Sequence, residues 1–192
     1  MRASGTTGQL IRRDGQDWWF DAGSVAIDFA YAGGFDETAE AIADPGALAV
    51  WLQARFPSLD GSLSDRDFAD ARQLQGALAR LITATATSTP RASEDIDVVN
   101  LFAATPDIPP ALDGGSRQAG RTRPRVVQAL SSIAREAIIL FSDVGAGRIR
   151  SCEAEDCDLI FFDGSRAANR RWCSMQRCGN RAKVRAHRER AS

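Results

Sequence analysis

The feature that most constrains this chain is the placement of its four cysteines. Cys152, Cys157, Cys173 and Cys178 are its only ones, in the pattern C-x4-C-x15-C-x4-C. Two symmetric pairs close in sequence bring four soft thiolates together, and four thiolates in a closed tetrahedron are the usual solution for structural zinc. Iron–sulfur clusters more often use tighter spacings, and disulfides are disfavoured in a reducing compartment. The expectation is therefore one structural Zn2+ held by all four cysteines, with iron–sulfur ligation, disulfides and free thiols as the alternatives. Four thiolates leave no coordination position open, which argues against catalytic zinc. His187 is the only histidine, so histidine-dependent triads and three-histidine metal sites are excluded. Nine residues past Cys178, it is expected to face solvent or phosphate.

Around the cysteines the local signals alternate. Arg148-Ile149-Arg150 reads as a strand into Cys152, and Leu159 to Phe162 as a second strand leaving Cys157, closed by the turn Asp163-Gly164-Ser165. Two cysteines five residues apart in one regular helix would point about 140° apart. A helix must therefore begin between Cys173 and Cys178, with Ser174 as its cap, running to about Arg188. Two ligands beside a strand turn and two at a helix start describe a treble-clef-like finger. Met175, Gly179, Ala182 and Ala186 form a small face fit to pack beside Phe161 or Phe162. So short a segment has too little core to fold alone, and metal affinity becomes part of its folding energy.

Charge is distributed unevenly. The chain carries a net −1, but residues 148–192 hold eleven Lys and Arg against six Asp and Glu, and residues 164–192 hold nine against one. Arg177, Arg181 and Arg188 share one helix face with Arg185 nearby, and Arg170, Arg171 and Lys183 flank it. A row of guanidinium groups of this kind neutralises phosphates, so these seven residues are the candidate contacts to double-stranded DNA. Docking on an acidic protein, or on the acidic body of this same chain, is the competing reading. Arg171 and Arg177 lie near enough to the metal to buttress it instead. Trp172 reads as core, and Asn180 as a brace of the zinc turn rather than a reader of adenine.

The preceding residues predict a mainly helical body. Trp18 to Phe20 follow Asp14-Gly15 in a short hairpin over roughly 10–21, after a frayed start at 1–10. Ser24 to Ala32 favours helix over strand, closed by Gly33-Gly34. Asp28 within it is expected to cap a neighbouring element or face water rather than form a buried site. Asp44-Pro45 opens a second helix that Pro57 closes, and Ser64 with Asp67 opens a third over about 64–83. Ser93 to Phe102 places Ile96, Val99 and Phe102 on one face, with Asp95 and Asp97 as solvated charges at its start. Residues 105–123 are breaker-rich and read as a long loop with short strands. Pro124 opens a last helix, and Gly145 and Gly147 end it and hinge into the tail. The N-terminus has no apolar signal region and no segment approaches a membrane-spanning length, so a cytoplasmic protein with no membrane partner is expected. Gly145-x-Gly147 lacks the rest of a dinucleotide fingerprint, and there is no Walker loop.

The run from Arg170 to Lys183, with Cys178-Gly179-Asn180-Arg181 at its centre, resembles the CGNR-type zinc finger of bacteria. Cys152, Cys157, Phe162-Asp163, Ser165-Arg166 and Arg170-Arg171-Trp172-Cys173 extend the match. Gly23 to Ala32, containing Ala26-Ile27-Asp28-Phe29, is similar to the opening segment of the ABATE domain, which precedes the finger in that family. Tyr31 and Ala32 stand where the family tends to have Asn and Thr. The resemblance implies a stress-induced transcription regulator: a non-enzymatic, zinc-dependent, DNA-binding protein. The expected architecture is mainly α with a small β-hairpin component, a helical regulatory body over 1–147 and a treble-clef-like finger over 148–192. The body is left to sense a small-molecule effector or to mediate assembly, most simply as a homodimer. An adaptor docking an acidic protein partner is the second reading, and an enzyme the third.

Overall fold

A computed structural model describes residues 8–13, 16–32, 35, 42–110, 112 and 123–191. The expected turn at Asp14-Gly15, the Gly33-Gly34 stop and most of the loop after Ala111 lie outside the described residues. So do the side chains of Ala186 and Arg190.

The chain opens with the antiparallel hairpin β1 (Gln9–Arg13) and β2 (Gln16–Phe20), in register Leu10↔Trp19 and Ile11↔Trp18. Alternation turns Ile11 and Phe20 inward and leaves Leu10 and Trp19 exposed. The start is not frayed at Gly8 and Gln9, both of which are buried. Helix α1 (Val25–Tyr31) follows, capped by Ser24 and buried at every position. A helix buried on every side must be enclosed, and α1 packs against both α3 (Asp65–Ala86) and α5 (Val126–Leu140).

Two further helices begin where their caps predict. Asp44 accepts the Ala47 amide at 2.8 Å to start α2 (Pro45–Arg55), and Ser64 and Asp67 form a reciprocal capping box on α3. Leu74, Leu78, Leu81 and Ile82 line the buried face of α3. Helix α4 (Ser93–Ala104) departs from expectation in its rotation: Asp95, Val99 and Phe102 face inward while Ile96 is exposed. Arg80 explains this. Its guanidinium, itself exposed, grips the Asp95 carboxylate through Nε at 3.0 Å and Nη2 at 2.6 Å, so the buried acid keeps a charged partner at the surface. Loop residues 105–108 then run along α5, held by Ser131 Oγ on the Thr105 carbonyl at 2.6 Å and by Gln128 on Asp107.

Asp28 does not face water: it is fully buried and caps neighbouring backbone instead. Its carboxylate accepts the amides of Gly8 at 2.6 Å and Ala22 at 3.3 Å, tying the hairpin to α1. Burial pushes its pKa up to about 7, although those bonds and the nearby Arg55 charge pull the other way. The buried Arg55 lies over the Trp51 ring at 3.6 Å and donates to the Gly8 carbonyl, while Gln9 bridges the Asp28 carbonyl and the Trp51 indole. At the other end of α1, Glu136 of α5 accepts the Val25 and Ala26 amides.

Nor do the late glycines form a hinge. Gly145 is buried in a further helical turn, α6 (Asp143–Ala146), and Gly147 leads straight into β3 (Ile149–Ser151). Strand β3 pairs antiparallel with β4 (Ile160–Phe162), and this second hairpin packs on α3. Ile149, Leu159, Ile160 and Phe161 join the same buried cluster as the helical core.

Candidate metal centre and basic face

Cys152 follows β3, and Cys157 lies on the loop before β4. Cys173 precedes a π-helical turn (Met175–Gly179), and Cys178 lies inside it before α7 (Asn180–Ala191). The expected start of helix between the last two cysteines holds, with Ser174 accepting the Arg177 amide at 3.4 Å. The wide π turn changes the angular spacing across the five-residue step. Gly179 lies under the Met175 side chain, where a Cβ would sit 2.8 Å from the sulfur and the half-exposed methionine would move aside.

The four sulfurs lie within 4.8 Å of one another, with Cys157–Cys173 at 3.7 Å and Cys173–Cys178 at 3.5 Å. A tetrahedron with Zn–S of about 2.3 Å has edges of about 3.8 Å, so the donor set fits one zinc ion. Cys152, Cys173 and Cys178 are buried and Cys157 half-buried. The Cys173 amide donates to Cys152 Sγ at 3.4 Å, and Arg181 donates to Cys178 Sγ at 3.3 Å. Donors aimed at sulfur suit thiolates rather than thiols. Among the protein groups alone, hydrogen bonds within the cluster draw the Cys152 pKa down and push Cys157 and Cys173 up. A divalent cation is what allows all four to ionise together.

Arginines then divide by task. Arg148 donates to the carbonyls of Asp163 and Ser165, and Arg150 to that of Ala168. Arg170 stacks over Phe161 at 4.2 Å and donates to the carbonyls of Trp172, Cys173 and Asp21. It is thus committed to holding the finger together. The buried Asp163 completes this bracing by accepting the Ser165 and Arg170 amides at 2.9 and 2.8 Å. Arg177 lies over the Trp18 ring at 4.8 Å. Trp172 is half-buried under Arg171, His187 is exposed, and Asn180 donates to the Gln176 carbonyl within the π turn.

Outward, Gln176, Arg177, Asn180, Arg181, Val184, Arg185 and Arg188 line one shallow groove of about 530 Å³ along α7, while Lys183 is exposed on another side of the helix. Reasoning from sequence missed what shares this face. Glu153, Glu155 and Asp156, between the first two cysteines, pair respectively with Arg171 at 2.6 Å, with Arg185, and with Arg181 at 2.8 Å. The signal was present as the acidic run Glu153-Ala154-Glu155-Asp156 opposite an arginine-rich helix.

The finger is also bound to the body. The Ile160 amide donates to the buried Tyr31 hydroxyl at 2.7 Å, and the Phe162 amide to the Ala22 carbonyl at 2.7 Å. Gly23, at φ +78°, passes so close that a Cβ would sit 2.6 Å from the Phe162 carbonyl oxygen. Tyr31 is thus a direct link between body and finger.

Residues 148–191 match the family model described as CGNR zinc finger. Residues 23–144, more than half of the chain, match the ABATE model, described as "Putative stress-induced transcription regulator". The protein belongs to the ABATE family. With its CGNR finger and four-cysteine cluster it is a zinc-dependent, stress-associated regulatory protein, and both modules are regulatory rather than catalytic. No curated protein matches the chain. Among the described residues of this ABATE protein, no helix is long and apolar enough to cross a membrane.

Proposed function

We propose that this protein binds double-stranded DNA through α7, as a cytoplasmic transcription regulator divided at about residue 147 into a regulatory body and a zinc finger. The observation that carries the reading is the groove lined by Arg177, Arg181, Arg185 and Arg188 along α7 and the π turn leading into it, which holds the ligand Cys178. Cys152, Cys157, Cys173 and Cys178 hold the zinc. The zinc has no chemical step to perform; it fixes the helix against the β3–β4 hairpin so that the cations present as one row. Arg185 and Arg188 are the primary phosphate contacts, with Lys183 a flanking one. Arg171, Arg177 and Arg181 contribute from their braced positions, and Arg170 acts from behind. The body binds a small-molecule effector or forms a homodimer, and its backbone bonds to β4 would carry either event to the finger.

Binding to duplex DNA from low to moderate salt tests this, comparing wild type with Lys183→Ala, Arg185→Ala, Arg188→Ala. Arg181 is left intact because it donates to Cys178 Sγ. The triple variant should bind more weakly to all sequences, with a log–log salt slope shallower by about 0.9 for each phosphate that is no longer neutralised. Equal affinities and slopes, with zinc retained in both, would remove this face from DNA binding. One observation favours the adaptor reading: three arginines of the face already hold carboxylates. Binding to an acidic peptide that duplex DNA does not compete away would put that reading first.

A further inference from the structure

Three carboxylates in the first zinc knuckle pair one-to-one with three arginines from the other half of the finger. Glu153 meets Arg171, Glu155 meets Arg185, and Asp156 meets Arg181, across up to 30 residues of sequence. The metal needs none of these acids, since its four ligands are the cysteines. The fold needs them little. Glu155 is 82 % exposed and Asp156 50 %, and solvent-exposed ion pairs contribute little to stability. Their effect is on the basic face, where a carboxylate occupies the same guanidinium fork that a phosphate would use.

Resting on the DNA reading above, we propose that the Cys152–Cys157 knuckle is an electrostatic gate, whose carboxylates nucleic-acid phosphates must displace from Arg171, Arg181 and Arg185. Zinc builds this gate, because the cluster places the knuckle beside α7. In the closed state the paired arginines contribute little net charge to the basic face. An isolated anion or a sparse acidic peptide offers no more than the resident carboxylates do. A duplex, with one charge per roughly 1.7 Å of axis, offers a row of phosphates that outcompetes them together. The gate therefore selects dense polyphosphate over acidic protein, and it lowers affinity for every nucleic acid until enough phosphates engage at once.

The test compares wild type with Glu155→Gln, Asp156→Asn, which keeps shape and hydrogen bonding but removes two charges. A charge-matched control, Glu94→Gln, Asp97→Asn, alters exposed acids of α4. Binding to a short mixed-sequence duplex is measured against salt, with zinc content checked throughout. The knuckle variant should bind about tenfold tighter at 0.1 M salt, with a slope steeper by about 0.9 per freed arginine, while the control moves little. If the double variant sheds zinc, Glu155→Gln alone serves, with half the slope change expected. Unchanged affinity and slope in a wild type that binds DNA would overturn the gate and leave the DNA reading standing. Weaker binding by the knuckle variant would overturn it too, making the acids supports of the arginines. Failure of every form to bind duplex would remove the DNA reading, and the gate with it.

Discussion

Leu74, Leu78, Leu81 and Ile82 of α3 are essentially inaccessible to solvent, and they meet an equally buried α1 and the apolar face of α5. The finger buries far less: Ile149, Leu159, Ile160, Phe161 and three of its four thiols. It compensates with directed contacts, in which Arg148, Arg150 and Arg170 tie backbone carbonyls together around the cysteine cluster. The body is thus held mainly by area removed from water and the finger mainly by coordination and charged hydrogen bonds. Apolar burial is non-directional and tolerates small shifts, whereas a tetrahedral site and guanidinium forks do not. The finger is for that reason the better place to fix a row of cations, since its helix is held at one end by the cysteine cluster rather than by a buried face.

Removing the metal should separate the two regions most clearly. Cys173→Ser should lose the zinc and the bulk of the finger's folding energy, since structural zinc in finger peptides is worth about 10–16 kcal/mol. Elemental analysis reads the loss, and amide hydrogen exchange should show residues 148–191 opening. Because β4 bonds to Tyr31 and Ala22, protection around α1 should fall as well; protection there that stays at wild-type level would make the two regions energetically independent.

A core deletion acts from the other side. Leu78→Ala should cost about 2–5 kcal/mol in chemical denaturation. Zinc should remain at one per chain, because no ligand lies on α3. Loss of metal from this variant would show that the body's core also holds the finger's geometry.

The junction itself is tested by Tyr31→Phe. It leaves the buried Ile160 amide without its acceptor, at a cost of about 1–3 kcal/mol. The zinc should also release faster to a chelator than in wild type. A variant with wild-type stability and release rate would make the hydroxyl dispensable.

The smallest effect is a pH dependence belonging to the body alone. Asp28 titrates near 7 in the folded chain against 3.8 as a free side chain. Between those values the folded state binds a proton that the unfolded state does not, so stability from this group falls as pH rises toward 7 and levels off above. Glu136, raised by burial, acts in the same direction. Tm should be higher at pH 6 than at pH 8 by about 2–4 °C, corresponding to roughly 1 kcal/mol, and Asp28→Asn should flatten that difference. A Tm that rises with pH in wild type would place the Asp28 carboxylate in its charged form throughout.

Much of this protein is written in short-range signals. The C-x4-C pairs name the metal donors, Ser64 with Asp67 and Asp44-Pro45 mark helix starts, and the geometry of one turn dictates that a helix begins between Cys173 and Cys178. Each depends on neighbours a few residues apart, so the order of amino acids is enough to specify them. Features that depend on distant partners were settled only by the folded chain. Asp95 is inside because Arg80 reaches it, and Asp28 is inside because the amides of Gly8 and Ala22 converge on it. Tyr31 matters because β4 arrives beside it 129 residues later in the chain. The arginines of the finger look alike as letters, yet Arg170 is spent inside the fold while Arg181 and Arg185 meet acids from the opposite knuckle. A charge has no intrinsic side: its desolvation cost and its partner are set only when the chain brings other groups to it, and no local spacing encodes that meeting.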